Sequence, residues 1–293
     1  MLSAQACRVD WNCEEIVRLV QKALEEDIGT GDATTLATVP ENARARARIL
    51  AREPLVCAGL PLAARVFGEL DANCRTELLC AEGEAIDAGR DVMRLEGKAR
   101  AILSGERTAL NFLQRLCGIA TLTHRFVQQL SGTRAKLRDT RKTTPLLRAL
   151  EKYAVRMGGG TNHRFGLYDA ILLKENHIAM AGGVRTALER ARAYSPNLPV
   201  QVEVRDEGEL REALTAGAES ILLDNMIPEE ATRCVALVRK ARPQCTVEIS
   251  GGITLANARA YAQTGADFLS SGALTHSVHA ANLSLLVEKV ERS

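Results

Sequence analysis

Aromatic residues make up only 3% of the 293-residue chain: one Trp, four Tyr and five Phe. A protein that reads nucleic acid by stacking bases needs more of them, so that class is disfavoured. Net charge is equally scant, because 38 Lys and Arg against 36 Asp and Glu leave +2. No global field draws such a chain onto nucleic acid or an anionic membrane. The eight cysteines, at 7, 13, 57, 74, 80, 117, 234 and 245, contain no C-x-x-C pair. That spacing argues against a structural zinc site and reads as reduced thiols in a cytosolic protein. Long apolar runs are missing too. The opening segment, Met1–Asp10, lacks the apolar core of a signal peptide. One stretch of membrane length is free of charge, Phe268–Val287, but Ser, Thr, Asn and His interrupt it throughout. The expectation is a cytoplasmic protein with no membrane span. No Ser-His-Asp or Cys-His pattern of a covalent nucleophile stands out.

What remains is an ordinary globular mix, 46% hydrophobic and 25% charged, long enough for one large domain or two. The first part reads as mixed helix and strand. Asn12 is placed to cap a helix with Ile16, Leu19, Val20, Ala23 and Leu24 on one face, ended by Ile28-Gly29-Thr30-Gly31-Asp32. Ala43–Leu50 alternates strictly, with Arg44, Arg46 and Arg48 on the solvent or subunit-facing side of a strand. Short strands follow at Thr76–Leu79 and Asp91–Leu95, and Ser104 is expected to start a helix with Arg107 in its first turn. A cation there is unfavourable unless an anion lies close by.

From about Arg134 the rhythm changes. Apolar runs ending in a polar residue recur at Ile171–Lys174, Val200–Glu203, Ser220–Asp224, Thr246–Ser250 and Asp267–Ser271, with helical segments between them. Two junctions repeat a glycine helix stop, Ala216-Gly-Ala-Glu219 and Thr264-Gly-Ala-Asp267. This alternation predicts a parallel sheet closing, or nearly closing, a barrel. Active sites of such barrels lie at the carboxyl ends of the strands, where Lys174, Glu203, Asp224, Ser250 and Ser271 all fall. Residues 134–174 carry ten Lys and Arg against three acids, so this segment is +7 and the rest of the chain −5. A local excess of that size implies an anionic ligand. Asp139-Thr140-Arg141-Lys142-Thr143-Thr144-Pro145 adds hydroxyls to the cations, and Gly158-Gly-Gly160-Thr-Asn-His163-Arg164 adds accessible backbone amides. Ser250-Gly251-Gly252 and Ser271-Gly272-Ala273 follow the last two strands, where barrels often hold phosphate. Together these point to a sugar-phosphate polyanion handled with a divalent cation. His276-x-x-His279 has no third ligand nearby and is not read as a metal site. A Schiff-base role for Lys174 and a nucleic-acid role for the basic segment are the competing readings.

Asp139–Pro145, Lys152-Tyr-Ala-Val-Arg156, Gly158–Arg164 and Leu173-Lys-Glu-Asn-His177 resemble the quinolinate phosphoribosyltransferase family. The resemblance extends to Leu24–Gly29 and Glu106–Phe112 early, and to Ser250–Ile253 and Gly272–His276 late. It implies an N-terminal open α/β sandwich (1–118, at the subunit interface) and an incomplete seven-stranded α/β barrel (119–293), the last helix packing back on the first domain. It also implies a homodimer with shared active sites, or a hexamer, with Arg107 reaching into the partner's site. Arg141, His163 and Arg164 would hold the two carboxylates of quinolinate, and Lys142 and Lys174 would neutralise substrate charge, with Thr140 beside them. Glu203 and Asp224 would face the ribose of phosphoribosyl pyrophosphate and its Mg2+, largely through substrate or water. Ser250, Gly251, Gly252, Ser271, Gly272 and Ala273 would take the 5-phosphate. The implied reaction is phosphoribosyl transfer with loss of carbon dioxide; the alternative is transfer to another pyridine or base without decarboxylation. Catalysis would fall to Glu203, Asp224, Lys142 and Lys174. The chain departs from the family pattern at Leu146, where glycine is usual, at Arg205, where an acid is expected, and at Arg138, where an apolar residue is commoner.

Overall fold

The computed structural model describes residues 9–291. The opening segment's first eight residues, Cys7 among them, lie outside the described residues. The described residues divide into two compact units: those up to 122, with 156–159 and those from 278 onward, form one, and residues 123–155 and 160–277 form the other.

The first unit starts with α1 (Glu14–Ile28), which buries Ile16, Val20 and Leu24. Its cap is Cys13, not Asn12, whose side chain instead accepts from Arg65. After α2 (Ala33–Thr38) come β1 (Arg44–Ala51), β2 (Leu55–Val56), α3 (Leu60–Leu70), β3 (Arg75–Leu78), β4 (Ala85–Ile86) and β5 (Asp91–Lys98). The alternation of β1 buries Ala45, Ala47 and Ile49. Its arginines stay on the outer face, where Arg48 pairs with Asp91 and Glu288, and Arg46 with Glu96. No helix begins at Ser104. The helix α4 runs from Ala99 to Gln129, so Arg107 is exposed in its third turn and not at its N-terminus. Ser104 does not cap it; its hydroxyl donates to Asp32 at 2.9 Å. Arg107 therefore does not sit at the positive end of a helix dipole.

The end of the described chain is also corrected. Residues 283–291 form a strand, not a helix, and pair antiparallel with β1 to give a four-stranded sheet ordered by this last strand, β1, β5 and β3. Leu283 and Leu285 alternate with less buried neighbours, which is strand period. Just before it the chain crosses α4 closely: a Cβ on Gly118 would lie 2.2 Å from the His279 carbonyl, so only glycine fits.

The second unit carries β6 (Lys136–Arg138), α5 (Arg148–Met157), β7 (Ile171–Leu173), α6 (Glu175–Ala181), α7 (Val184–Tyr194), β8 (Val200–Val204) and α8 (Glu207–Thr215). It continues with β9 (Ser220–Asp224), α9 (Pro228–Ala241), β10 (Thr246–Ser250), α10 (Ala258–Ala262), β11 (Phe268–Ser270) and α11 (Ala273–His276). Its six strands are parallel in the order β6-β11-β10-β9-β8-β7. The seventh strand is reduced to one parallel bridge, Thr161 to Arg138, so the barrel stays open between this point and β7. The final strand, in chain order β12, belongs to the first unit. The charge-free stretch Phe268–Val287 is thus cut into β11, α11, a loop and the start of β12. No helix among the described residues is long and apolar enough to cross a membrane.

Candidate active site

Alternate residues of a strand face opposite sides, so each parallel strand delivers its closing residue to the same end and the same face as the residue two before it. That end opens into a cavity of about 670 Å³. Its lining brings together Thr140, Arg141, Lys142, His163, Arg164, Lys174, Glu203, Asp224, Ser250, Gly251, Gly252, Ser271, Gly272 and Ala273, all of the barrel residues singled out from the sequence. Arg107 belongs to the other unit and does not line it.

The cationic side is built on a buried ion pair. Asp139, at the end of β6, and Lys152, on α5, are 2.5 Å apart and almost wholly buried. Asp139 also accepts from the Asn162 side chain and from the His163 amide at 2.8 Å. Lys152 donates to the His163 carbonyl at 3.1 Å. Burial pushes the Asp139 carboxyl up and the Lys152 ammonium down, while their mutual attraction opposes both shifts. The pair holds His163 and Arg164 against the cavity. Arg164 donates to the Ala170 carbonyl at 3.0 Å, and burial, with repulsion from Arg141, lowers its guanidinium's pKa. Arg141 itself has a buried Nε with no hydrogen-bond partner. Two neighbouring guanidiniums, one of them with a buried Nε left without a partner, favour an anion between them.

Across the cavity Lys174 Nζ lies 2.7 Å from Glu203 Oε2. Asp224, on the next strand, accepts from Asn225 at 2.7 Å. Asn225 takes a left-handed φ of 56° so that its amide reaches the Ser250 carbonyl at 2.9 Å. Its side chain fills the space beside Gly251, where a Cβ would come 2.2 Å from Asn225 Oδ1. The amides of Gly251, Gly252, Gly272 and Ala273 have no acceptor among the described residues. Ser271 ties the two loops together through its hydroxyl, which donates to the Ile253 carbonyl at 2.8 Å. Such converging, unspent amides suit a phosphate.

Several cavity residues escaped the sequence reading: Glu248, Asn225 and Thr254 line it as well, and so does His276, which the sequence reading sets aside as a metal ligand. Glu248 sits two residues before Ser250, as Gln201 sits two before Glu203. A polar residue at that spacing inside an otherwise buried strand is the signal that would have found both. The three departures have separate explanations. Arg138 enters the barrel to pair with Glu248 at 2.7 Å, with its guanidinium 3.3 Å from the Phe268 ring centre. Arg205 bridges Glu175 and Glu209 at the surface. Leu146 is 92% exposed with φ at 66°, the backbone a glycine adopts freely. Leu146→Gly should raise stability by about 0.5–1 kcal/mol, because removing the left-handed penalty outweighs glycine's extra chain entropy. The midpoint of urea unfolding reads this; a lower midpoint would refute it.

Among the described residues no group of three or more His, Cys, Asp or Glu is arranged to hold a metal. Glu203 and Asp224 offer two carboxylates on adjacent strands, too few for a protein cage. They suit a magnesium ion that keeps most of its coordination for water and phosphate oxygens.

Two family models cover nearly the whole chain: the quinolinate phosphoribosyl transferase N-terminal domain matches residues 32–117 and the C-terminal domain residues 119–286. The chain is 44% identical over 255 residues to the probable nicotinate-nucleotide pyrophosphorylase [carboxylating] of Synechocystis, covering 87% of this chain and 86% of that one. It is 44% identical over 270 residues to the nicotinate-nucleotide pyrophosphorylase [carboxylating] of Mycobacterium leprae, with 91% and 95% covered. The structure of the nicotinate-nucleotide pyrophosphorylase from Francisella tularensis superposes with a TM-score of 0.89 at 41% identity, over 94% of this chain and 96% of that one. With both domain models matched in order and this fold beneath them, the chain belongs to the quinolinate phosphoribosyltransferase family.

Proposed function

We propose that the chain transfers the phosphoribosyl group of phosphoribosyl pyrophosphate to quinolinate, with release of pyrophosphate and carbon dioxide. The product is nicotinate mononucleotide, for NAD biosynthesis. The observation that carries this reading is Arg141, with a buried Nε that has no partner, beside Arg164 and in one cavity with a loop pair whose amides are unspent. One end suits a dicarboxylate and the other a phosphate. A pyridine with a single carboxylate would leave one of the two guanidiniums unmatched, which disfavours the reading without decarboxylation.

Arg141 and Arg164 bind the quinolinate carboxylates and aim the ring nitrogen at ribose C1. Gly251, Gly252, Gly272 and Ala273 take the 5-phosphate through their amides, and Lys142 meets the pyrophosphate. As the bond from C1 to pyrophosphate breaks, positive charge grows on the ribose, and Glu203 and Asp224 stabilise it. Magnesium, when bound, supplies charge neutralisation for the leaving pyrophosphate. The alkylated ring nitrogen is cationic and stabilises the carbanion left when the 2-carboxylate departs as carbon dioxide.

Purified protein given quinolinate, phosphoribosyl pyrophosphate and magnesium should release carbon dioxide and nicotinate mononucleotide in equal amounts. A chelator should abolish this and added magnesium restore it. Nucleotide formed without carbon dioxide would refute the decarboxylating reading, and full activity without the metal would refute the magnesium requirement.

The working form is a cytoplasmic homodimer in which Arg107 completes the partner's site. Arg107→Ala and Lys142→Ala should each be inactive, yet a mixture should regain activity, because one hybrid site then holds both native residues. Inactive mixtures despite verified subunit exchange would sink the shared site.

A further inference from the structure

Beneath the strand-end residues lies a second polar layer that the proposed mechanism leaves unused. Glu248, at the middle of β10, is fully buried. Its Oε2 accepts from Arg138 at 2.7 Å and from Gln201 Nε2 at 3.1 Å, and its Oε1 accepts from Ser270. Gln201 Oε1 lies 3.1 Å from His163 Nε2, and Glu248 Oε1 lies 3.5 Å from the same nitrogen. On the other side of the ring, the Arg164 amide donates to His163 Nδ1 at 2.7 Å.

Donor and acceptor logic leaves one consistent arrangement. A carboxylate paired with Arg138 only accepts, so Gln201 must turn its NH2 to Glu248 and its oxygen to His163. That oxygen in turn only accepts, so His163 Nε2 carries a proton. From the opposite side, a backbone N–H aimed at Nδ1 requires that nitrogen to be bare. Both constraints select the same state: a neutral imidazole protonated on Nε2, with neither nitrogen left for a substrate. Imidazolium would set an Nδ1 proton against the Arg164 amide.

We propose that Glu248 is a positioning residue: through Gln201 it keeps His163 neutral and protonated on Nε2, and so fixes the main chain that presents Arg164. The carboxylates of the substrate are then met by Arg141 and Arg164, while His163 acts as a neutral strut between the barrel interior and Arg164. The role assigned to Arg164 rests on the quinolinate reading; the state of His163 does not.

The first test uses the ligand-free wild-type protein, so its failure is separable from failure of that reading. The chain has five histidines. In nitrogen-detected NMR of 15N-labelled protein, single replacements of His124, His177, His276 and His279 leave the His163 signals by elimination. One protonated Nε2 and one bare Nδ1 at neutral pH are expected, unchanged on adding quinolinate. A doubly protonated ring, or a proton on Nδ1, in either state overturns the proposal.

The second test separates a strut from a charge. Gln201→Leu leaves the Glu248–Arg138 pair intact but cuts the relay. It should raise the KM for quinolinate about tenfold, the worth of one hydrogen bond, while kcat and the KM for phosphoribosyl pyrophosphate stay within about twofold. Asn placed at 163 offers its Oδ1 where Nδ1 stood, so His163→Asn should recover most of the quinolinate affinity that His163→Ala loses. Equal losses in the two His163 variants, or a Gln201→Leu effect shared by both substrates, would show that no strut operates.

Discussion

Glu203→Gln is expected to lower kcat by about 10²–10³, or roughly 2.7–4 kcal/mol of transition-state stabilisation, the range for a lost electrostatic stabiliser. The substitution keeps shape and removes charge. Glu203 lines the cavity; its Oε2 is held by Lys174 at 2.7 Å, while Oε1 has no partner among the described residues. Charge on the ribose develops only as the bond to pyrophosphate breaks, so the lost interaction belongs to the transition state and not to substrate binding. The contact with Lys174 is a confounding route, since glutamine would release that cation. Lys174→Met separates the two: if Glu203 acts on the ribose, Glu203→Gln still lowers kcat in the Lys174→Met background. Steady-state kinetics with each substrate varied in turn decides it. A change confined to KM would remove Glu203 from the chemical step.

The largest effect on stability is expected from Asp139→Asn, about 3–5 kcal/mol, because it leaves the ammonium of Lys152 buried without its counter-charge. Lys152 is 2% exposed and Asp139 not exposed at all, so neither charge can recover its loss by reaching water. The double variant Asp139→Asn/Lys152→Met carries no unpaired charge and should recover part of the loss. Urea unfolding of the three variants measures both statements. A cost below about 1 kcal/mol for Asp139→Asn would mean that the pair does not hold the His163–Arg164 segment in place. The same variant should weaken quinolinate binding, since the His163 amide and carbonyl are bound by this pair.

These two residues illustrate how unevenly the site was legible. Glu203 closes an apolar run, so strand period alone puts it at the mouth of a barrel. Asp139 and Lys152 were visible as parts of motifs, but nothing local marks an acid and a lysine 13 residues apart as a buried pair. Arg107 failed in the opposite way. Ser104 and the residues after it look like a helix start, yet β5 runs straight into α4 at Ala99, and tertiary packing of Ile102 and Ala99 overrides the capping signal. At the end of the chain the resemblance implied a helix, whereas the alternating burial of Leu283 and Leu285 follows strand period. Pairing with β1 settles it as strand.

Taken alone, the sequence determined the alternating βα order, the strand ends and therefore which of Lys174, Glu203, Asp224, Ser250 and Ser271 share one face. It also determined the basic character of residues 134–174. Each of these depends on periods of two or 3.6 residues, on glycine stops or on local charge, all of which act within a few positions. Only the tertiary structure decided that Arg138 meets Glu248 110 residues away and that His163 meets Gln201 38 residues away. It alone brought Cys57 and Cys80, both free, to a sulfur separation of 3.1 Å. The reason is physical. Whether a carboxylate inside a strand is paired, which nitrogen of a histidine is protonated and which arginine Nε goes without a partner are fixed by neighbours across the sheet, and burial makes those pairings costly to leave unmade.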